Sequence, residues 1–191
     1  MTRIVAGLRR ALTRRTPPRL FRPVGIVTIP ATNDPFVVRE KFMSNPEAVV
    51  QIVSGKNFEA WFSEKIEEPI AETRLQYADL IEPTTNEQIL AELGRRAEIT
   101  LGQMYALLER QSRGQEGALL VNTQEPQPHP IFTDFVTLRW WRPSAFYVRD
   151  INNKLRIVTA IRFATCWLVD AETIESSREW DNESRMFFHS S

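Results

Sequence analysis

Apolar and polar positions give the 191-residue chain three successive textures. Residues 2–15 carry Ile4, Val5, Leu8 and Leu12 along one helical stripe, with Arg3, Arg9, Arg10 and Arg14 largely outside it. Thr16-Pro17-Pro18 ends that helix, because proline lacks an amide donor and restricts the residue before it. From about residue 34 to 111 the apolar spacing is helical, and from 131 to 188 it alternates as in strands.

Within the helical stretch, Asn33-Asp34-Pro35 and Ser44-Asn45-Pro46 each read as a helix start, with a capping residue ahead of proline. They predict short helices over FVVREKFM and PEAVVQIVS, the second closing on Gly55. Asn57 opens FEAWFSEKIEE, whose Phe58, Trp61 and Phe62 share a face as core anchors, and IAETRLQYADLI supplies a fourth helix. Ahead of them, IVTIPAT at 26–32 reads as a linker or edge strand. The strongest signal follows. Thr84 with Glu87 and Thr85 with Gln88 both fit a capping box, and Leu90, Leu93, Ala97, Leu101, Met104 and Leu108 recur at helical steps. One long helix is expected there, despite Gly94 and Gly102 inside it.

Residues 112–130 hold two glycines and three prolines and read as an irregular connection. Beyond it IFTDFVTLRWW and AFYVR are strands, DINNK is a turn, and LRIVTAIRFATCWLV is one long strand. Leu155, Ile157, Ile161, Phe163, Trp167 and Val169 fall on one face of that strand; Arg156 and Arg162 fall on the other, half-polar face. A sheet with one apolar face packs helices on one side only. The expected fold is therefore α+β: a layer of short helices plus one long helix, packed on one face of a C-terminal antiparallel sheet. In element order over about residues 34–170 the chain resembles the nuclear-transport-factor-2-like domains, a likeness that involves no motif and implies no functional residue.

Charge changes the picture at the N-terminus. The formal net charge is +0, with 24 basic and 24 acidic residues. Seven of the arginines lie in residues 1–25 (Arg3, Arg9, Arg10, Arg14, Arg15, Arg19 and Arg22), a segment without one acidic residue. The remainder has 17 basic against 24 acidic residues, so a body near −7 follows an arm of +7. This divides the chain into an arm, 1–25, and a single domain, 26–191. An Arg-rich, acid-free amphipathic helix at the N-terminus resembles a mitochondrial presequence. Arms of this kind also thread into nucleic acid in ribosomes or virions. The acidic body is a poor phosphate binder, so any nucleic-acid contact is expected through the arm alone.

Candidate chemistry is sparse. His129 sits in a proline-braced loop and His189 near the C-terminus, neither with metal-ligand neighbours at helical spacing. The one cysteine, Cys166, lies mid-strand as core filler. No GxSxG, GxGxxG or GxxxxGK[ST] pattern occurs. Asp134 and Asp150 are acids within or beside strands, read as solvated surface, and Arg139-Trp140-Trp141-Arg142 as strand packing rather than a base-stacking platform. No apolar run approaches the ~18–20 residues of a spanning helix.

These observations point to a non-catalytic accessory or structural subunit without cofactor or metal, partnered by other protein subunits. The expected setting is a large mitochondrial assembly: a respiratory or ATP-synthase complex, or the mitochondrial ribosome, in the matrix or on the matrix face of the inner membrane. The alternative is a structural protein of a virion or phage particle. The terminal Phe187 and Phe188, with the loop around His129, are expected to bury against other subunits, since exposed apolar patches mark contacts.

Overall fold

The structure is a computed structural model that describes residues 19–43, 48–119, 143–163, 165–175, 179–182 and 184–190. Strands dominate it. The main sheet takes β1 (Phe21–Ile29), β3 (Ile52–Ser54), β5 (Thr73–Leu80), β7 (Ser144–Arg149), β8 (Leu155–Phe163), β9 (Cys166–Thr173) and β11 (Arg185–His189). The short strands β2 (Phe36–Val37) and β4 (Ile66–Glu67) pair with each other, as do β6 (Thr84–Thr85) and β10 (Glu179–Trp180). The helices are short: α1 (Val38–Phe42), α2 (Lys56–Phe62), α3 (Asn86–Leu93) and α4 (Leu101–Arg110).

The seven-stranded sheet runs β1-β5-β11-β7-β8-β9-β3. It is mixed. β11 pairs in parallel with β7, and β3 in parallel with β9, while the remaining pairs are antiparallel. The expected C-terminal antiparallel sheet under a helical layer is therefore overturned, because residues 21–80 contribute three of the seven strands. With them the order of elements departs from the one behind the likeness to nuclear-transport-factor-2-like domains.

The segment expected as a fourth helix is the strand β5, and the difference has a physical reason. Leu75 and Tyr77 face one core, whereas Ala78 and Leu80 face another. A strand covered on both faces loses the period-two alternation that would identify it. PEAVVQIVS likewise ends in β3 and not in a helix.

The single long helix is also overturned. Thr85 and Gln88 do form a capping box at α3. Gly94, at φ 55°, then closes that helix and leads into one 3-10 turn, Gly94–Ala97. Glu98 bridges Tyr147 of β7, and the Ile99 N–H donates to the Tyr147 carbonyl at 2.9 Å. A second capping box, Thr100 with Gln103, restarts the chain as α4. The break lets the two halves serve opposite faces of the sheet: α4 buries Leu101, Met104, Leu107 and Leu108 in the larger core, and α3 buries Ile89 and Leu93 in the smaller.

LRIVTAIRFATCWLV, expected as one strand, is the hairpin β8–β9. Its turn sets Phe163 opposite Cys166 and Arg162 opposite Trp167, so an even position on one arm shares a face with an odd position on the other. Val158, Ala160, Trp167 and Val169 consequently face the larger core together, while Ile157 faces the smaller.

Phe187 and Phe188 are core residues, which corrects their expected role as a partner-binding plug. Phe187 stacks on Phe146 and Tyr77, with ring centroids at 4.7 and 5.8 Å, and Phe188 packs on Phe21 at 5.5 Å. They point to opposite faces of β11, and each face has its own core, so neither ring is left for a partner. We expect Phe187→Ala to destabilise the isolated protein by about 3–5 kcal/mol, read from its urea midpoint. A change below about 1 kcal/mol would place that ring outside the core.

Candidate functional site

Buried charge in this fold is paired almost throughout. The Asp79 carboxylate accepts from Arg185 Nε at 2.9 Å and from the exposed Arg22 at 3.3 Å. Glu67 accepts from Lys65 at 2.7 Å and from the Leu101 and Gly102 N–H groups at 3.0 and 2.8 Å, closing the open amides at the start of α4. Asp170 accepts from the Phe58 N–H at 3.3 Å, near the start of α2, and from the Ala171 N–H at 2.8 Å. In the smaller core Asn86 takes hydrogen bonds from Tyr147 Oη at 3.1 Å and Trp180 Nε1 at 2.6 Å, and donates to the Ile174 carbonyl at 3.2 Å. Burial raises the Tyr147 phenol far above its ordinary pKa, so it stays a neutral donor to Asn86.

Asp150 closes the β7–β8 turn, where Asn153 adopts φ 61°, in keeping with the Asn-Asn pair. The carboxylate accepts from the Asn152 and Lys154 N–H groups at 2.8 and 2.9 Å, and from Arg156 Nε at 2.8 Å. The Arg156 guanidinium in turn lies 4.1 Å from the centroid of the half-buried Trp61. Asp150 is therefore a structural turn residue and not solvated surface.

One buried cation breaks the pattern. Arg162 of β8 is 8 % exposed and Trp167 of β9 is 0 % exposed. Among the described residues, the buried side-chain donors without an acceptor are Nε and Nη1 of Arg162 and Nε1 of Trp167. The two residues are cross-strand partners, with the guanidinium carbon 5.5 Å from the indole centroid. Gly114 sits beside the guanidinium with φ 71°, and a Cβ there would come within 3.1 Å of Arg162 Nε. Gln111 holds this turn by accepting from the Leu119 N–H at 2.7 Å and donating to the Gln115 carbonyl at 2.8 Å. Glycine at 114 serves both the turn and the room beside the guanidinium.

Magnitudes show why this matters. Stacking on an indole returns about 2 kcal/mol to a desolvated cation. Burying the charge costs several kcal/mol after relaxation, and an unsatisfied indole N–H adds about 1–3 kcal/mol. A bound anion would offset that deficit. Burial pulls the Arg162 pKa down, opposed by the neighbouring Cys166 thiol, but a guanidinium keeps its proton at neutral pH. Burial raises the Cys166 thiol, against a smaller pull from Arg162, and its Sγ donates to the Phe163 carbonyl at 3.4 Å. Cys166 is thus a neutral thiol rather than a thiolate nucleophile.

The residues singled out from the sequence are not brought together. Arg3, Arg9, Arg10, Arg14, Arg15 and His129 lie outside the described residues, as do Asp134 and 139–142. Arg19 is exposed, and Arg22, counted with the arm, stands in β1 beside Asp79. His189 ends β11, half-buried. Among the described residues no group of three or more His, Cys, Asp or Glu side chains is placed to hold a metal ion. Compared with known proteins, the chain matches no family model, no curated relative and no solved structure.

Asp150 provides a pH test of the frame around the site. Burial alone would raise its carboxyl, but the Lys154 and Asn152 N–H groups and Arg156 outweigh it and hold the pKa below the ordinary 3.8. A depressed folded-state pKa gives stability that is present above the unfolded value and lost as pH falls through the folded one. Below about pH 4 the wild type should lose stability that Asp150→Asn, less stable at neutral pH, no longer has to lose. Parallel melting curves for both proteins from pH 7 to pH 3 would disprove the assignment.

Proposed function

We propose that the protein is a non-catalytic accessory subunit of a large mitochondrial assembly, a respiratory or ATP-synthase complex or the mitochondrial ribosome. The observation that carries this reading is the charge division: an arm of +7 without an acid, on a body near −7. The cationic amphipathic arm suits an import receptor groove and a negative-inside potential, and the acidic body then faces protein partners rather than phosphates.

Exposed apolar side chains on the sheet are a candidate surface for such partners. Among the described residues the outer strands are β1 and β3, and both expose apolar side chains: Val24 and Ile26 are 45 and 51 % exposed on β1, and Val53 is 52 % exposed on β3. An open edge with unpaired amides and apolar side chains is a liability unless something covers it. Among the described residues no helix is long and apolar enough to cross a membrane. Because β1 begins at Phe21, pairing there with Leu80, removal of a presequence is expected to stop short of that residue.

Fusing residues 1–25 to a fluorescent reporter should send it to mitochondria. A reporter left diffuse in the cytosol, with a control presequence imported, would reject the mitochondrial reading and favour an arm that holds nucleic acid or a neighbouring subunit in a virion. In the full chain, Val24→Lys with Ile26→Lys should leave the melting temperature within about 2 °C, since both side chains are exposed. The same pair should free the protein from its assembly on a sucrose gradient. Wild-type sedimentation would show that β1 is no contact.

A further inference from the structure

The unpaired donors of Arg162 and Trp167 have no part in an accessory-subunit role, and a ligand held by them is independent of that role. We propose that Arg162 and Trp167 form a binding site for a singly charged organic carboxylate. Its oxygens would accept from the guanidinium and from the indole N–H.

Three observations select this chemistry. Both groups are donors only, so the site takes an acceptor and repels metal ions and amines. The local charge is +1, with no acid paired to Arg162 among the described residues, so one carboxylate neutralises it. A phosphate dianion would instead leave an uncompensated negative charge in the same low-dielectric place. The surroundings are apolar: Val158, Ala160 and Val169 lie in the larger core on the same face of the hairpin, which suits a ligand with a hydrocarbon body next to its acid. Gly114 completes the arrangement, since a side chain there would crowd Nε, the atom a ligand oxygen needs to reach.

The remaining polar clusters do not share this property. Asp79, Glu67, Asp150, Asp170 and Asn86 all spend their hydrogen-bonding capacity on partners within the fold. Arg156 resembles Arg162 in lying over a tryptophan, but it has Asp150 as a counter-charge at 2.8 Å. The comparison isolates what Arg162 lacks.

The test uses the full chain and sodium butyrate as the probe, at constant ionic strength, with butyramide as the uncharged isostere and sodium phosphate as the competing oxyanion. Calorimetric titration should give one site per chain for butyrate, none for butyramide, and at least tenfold weaker binding for phosphate. The melting temperature should rise with butyrate concentration, because the ligand binds the folded state alone. Arg162→Met keeps the side-chain length and removes the charge. It should abolish butyrate binding, and without ligand it should melt no lower than the wild type, since a buried charge without a partner is gone. Trp167→Phe keeps an aromatic ring and removes the N–H, and should weaken binding about tenfold. Equal binding of butyrate and butyramide, tighter binding of phosphate, or unchanged binding in both variants would each overturn the proposal. So would an Arg162→Met protein that melts well below the wild type without ligand, which would make the guanidinium a structural group stabilised by its indole.

Discussion

The last strand holds the sheet together. β11 lies between β5 and β7, so among the described strands it alone joins the β1–β5 pair to the β7-β8-β9-β3 half. Its Met-Phe-Phe run puts Phe187 into the larger core and Met186 and Phe188 into the smaller, and Arg185 anchors the Asp79 carboxylate in the neighbouring strand. Packing on both faces and a charged rung at one end tie these five residues into both cores and the neighbouring strand. Pairing residues 74–80 with 185–190 also gives the domain a high contact order. Strand partners more than a hundred residues apart are the long-range kind of contact that slows folding.

The two cores explain the shape of the middle of the chain. Residues 84–110 must cover one face of the sheet and then the other, and a continuous helix cannot do so. Gly94 stops α3, the Glu98–Ile99 segment hydrogen-bonds beside Tyr147, and Thr100 starts α4. β7 pairs with β11 only at Ser144 and Ala145, which leaves Tyr147, further along β7, to bond this crossing segment. The amphipathic repeat is genuine in each half; its two halves simply answer to different cores.

Arg162 is the outlier among the buried charges of the described residues. The fold neutralises its other buried charges locally, through capping, turn closure or cross-strand ion pairs. At the end of the β8–β9 hairpin it instead buries a cation against an indole and leaves both without acceptors. These two unpaired donors are the groups that the proposed carboxylate would satisfy. Among the described residues the exposed apolar side chains of β1 and β3 lie on the outer strands, so the proposed partner contacts and the proposed carboxylate site would rest on different parts of the sheet.

Local chemistry was legible in the sequence where local chemistry decides. The Thr85–Gln88 capping box, the Asn152-Asn153 turn, the AFYVR strand, and the charge division between arm and body follow from residues within a few positions of one another. Of the helix expected over FEAWFSEKIEE, by contrast, only the part to Phe62 forms, capped at Gly55, and Ile66–Glu67 is the strand β4. The rest depended on what covers each strand. β5 and β11 are buried on both faces, so their sequences carry no alternation; the first has the spacing of a helix and the second the look of a free tail. Nothing like Gly, Asn or Pro marks the turn between Phe163 and Cys166, so the hairpin was hidden. With it was hidden the pairing of Arg162 with Trp167: on one straight strand they face apart, and only the fold-back, with its change of parity, sets a buried guanidinium against a buried indole. Residue types and spacing determine which hydrogen bonds a segment can make with itself. Which face of a strand meets water is decided only when distant segments arrive to cover it.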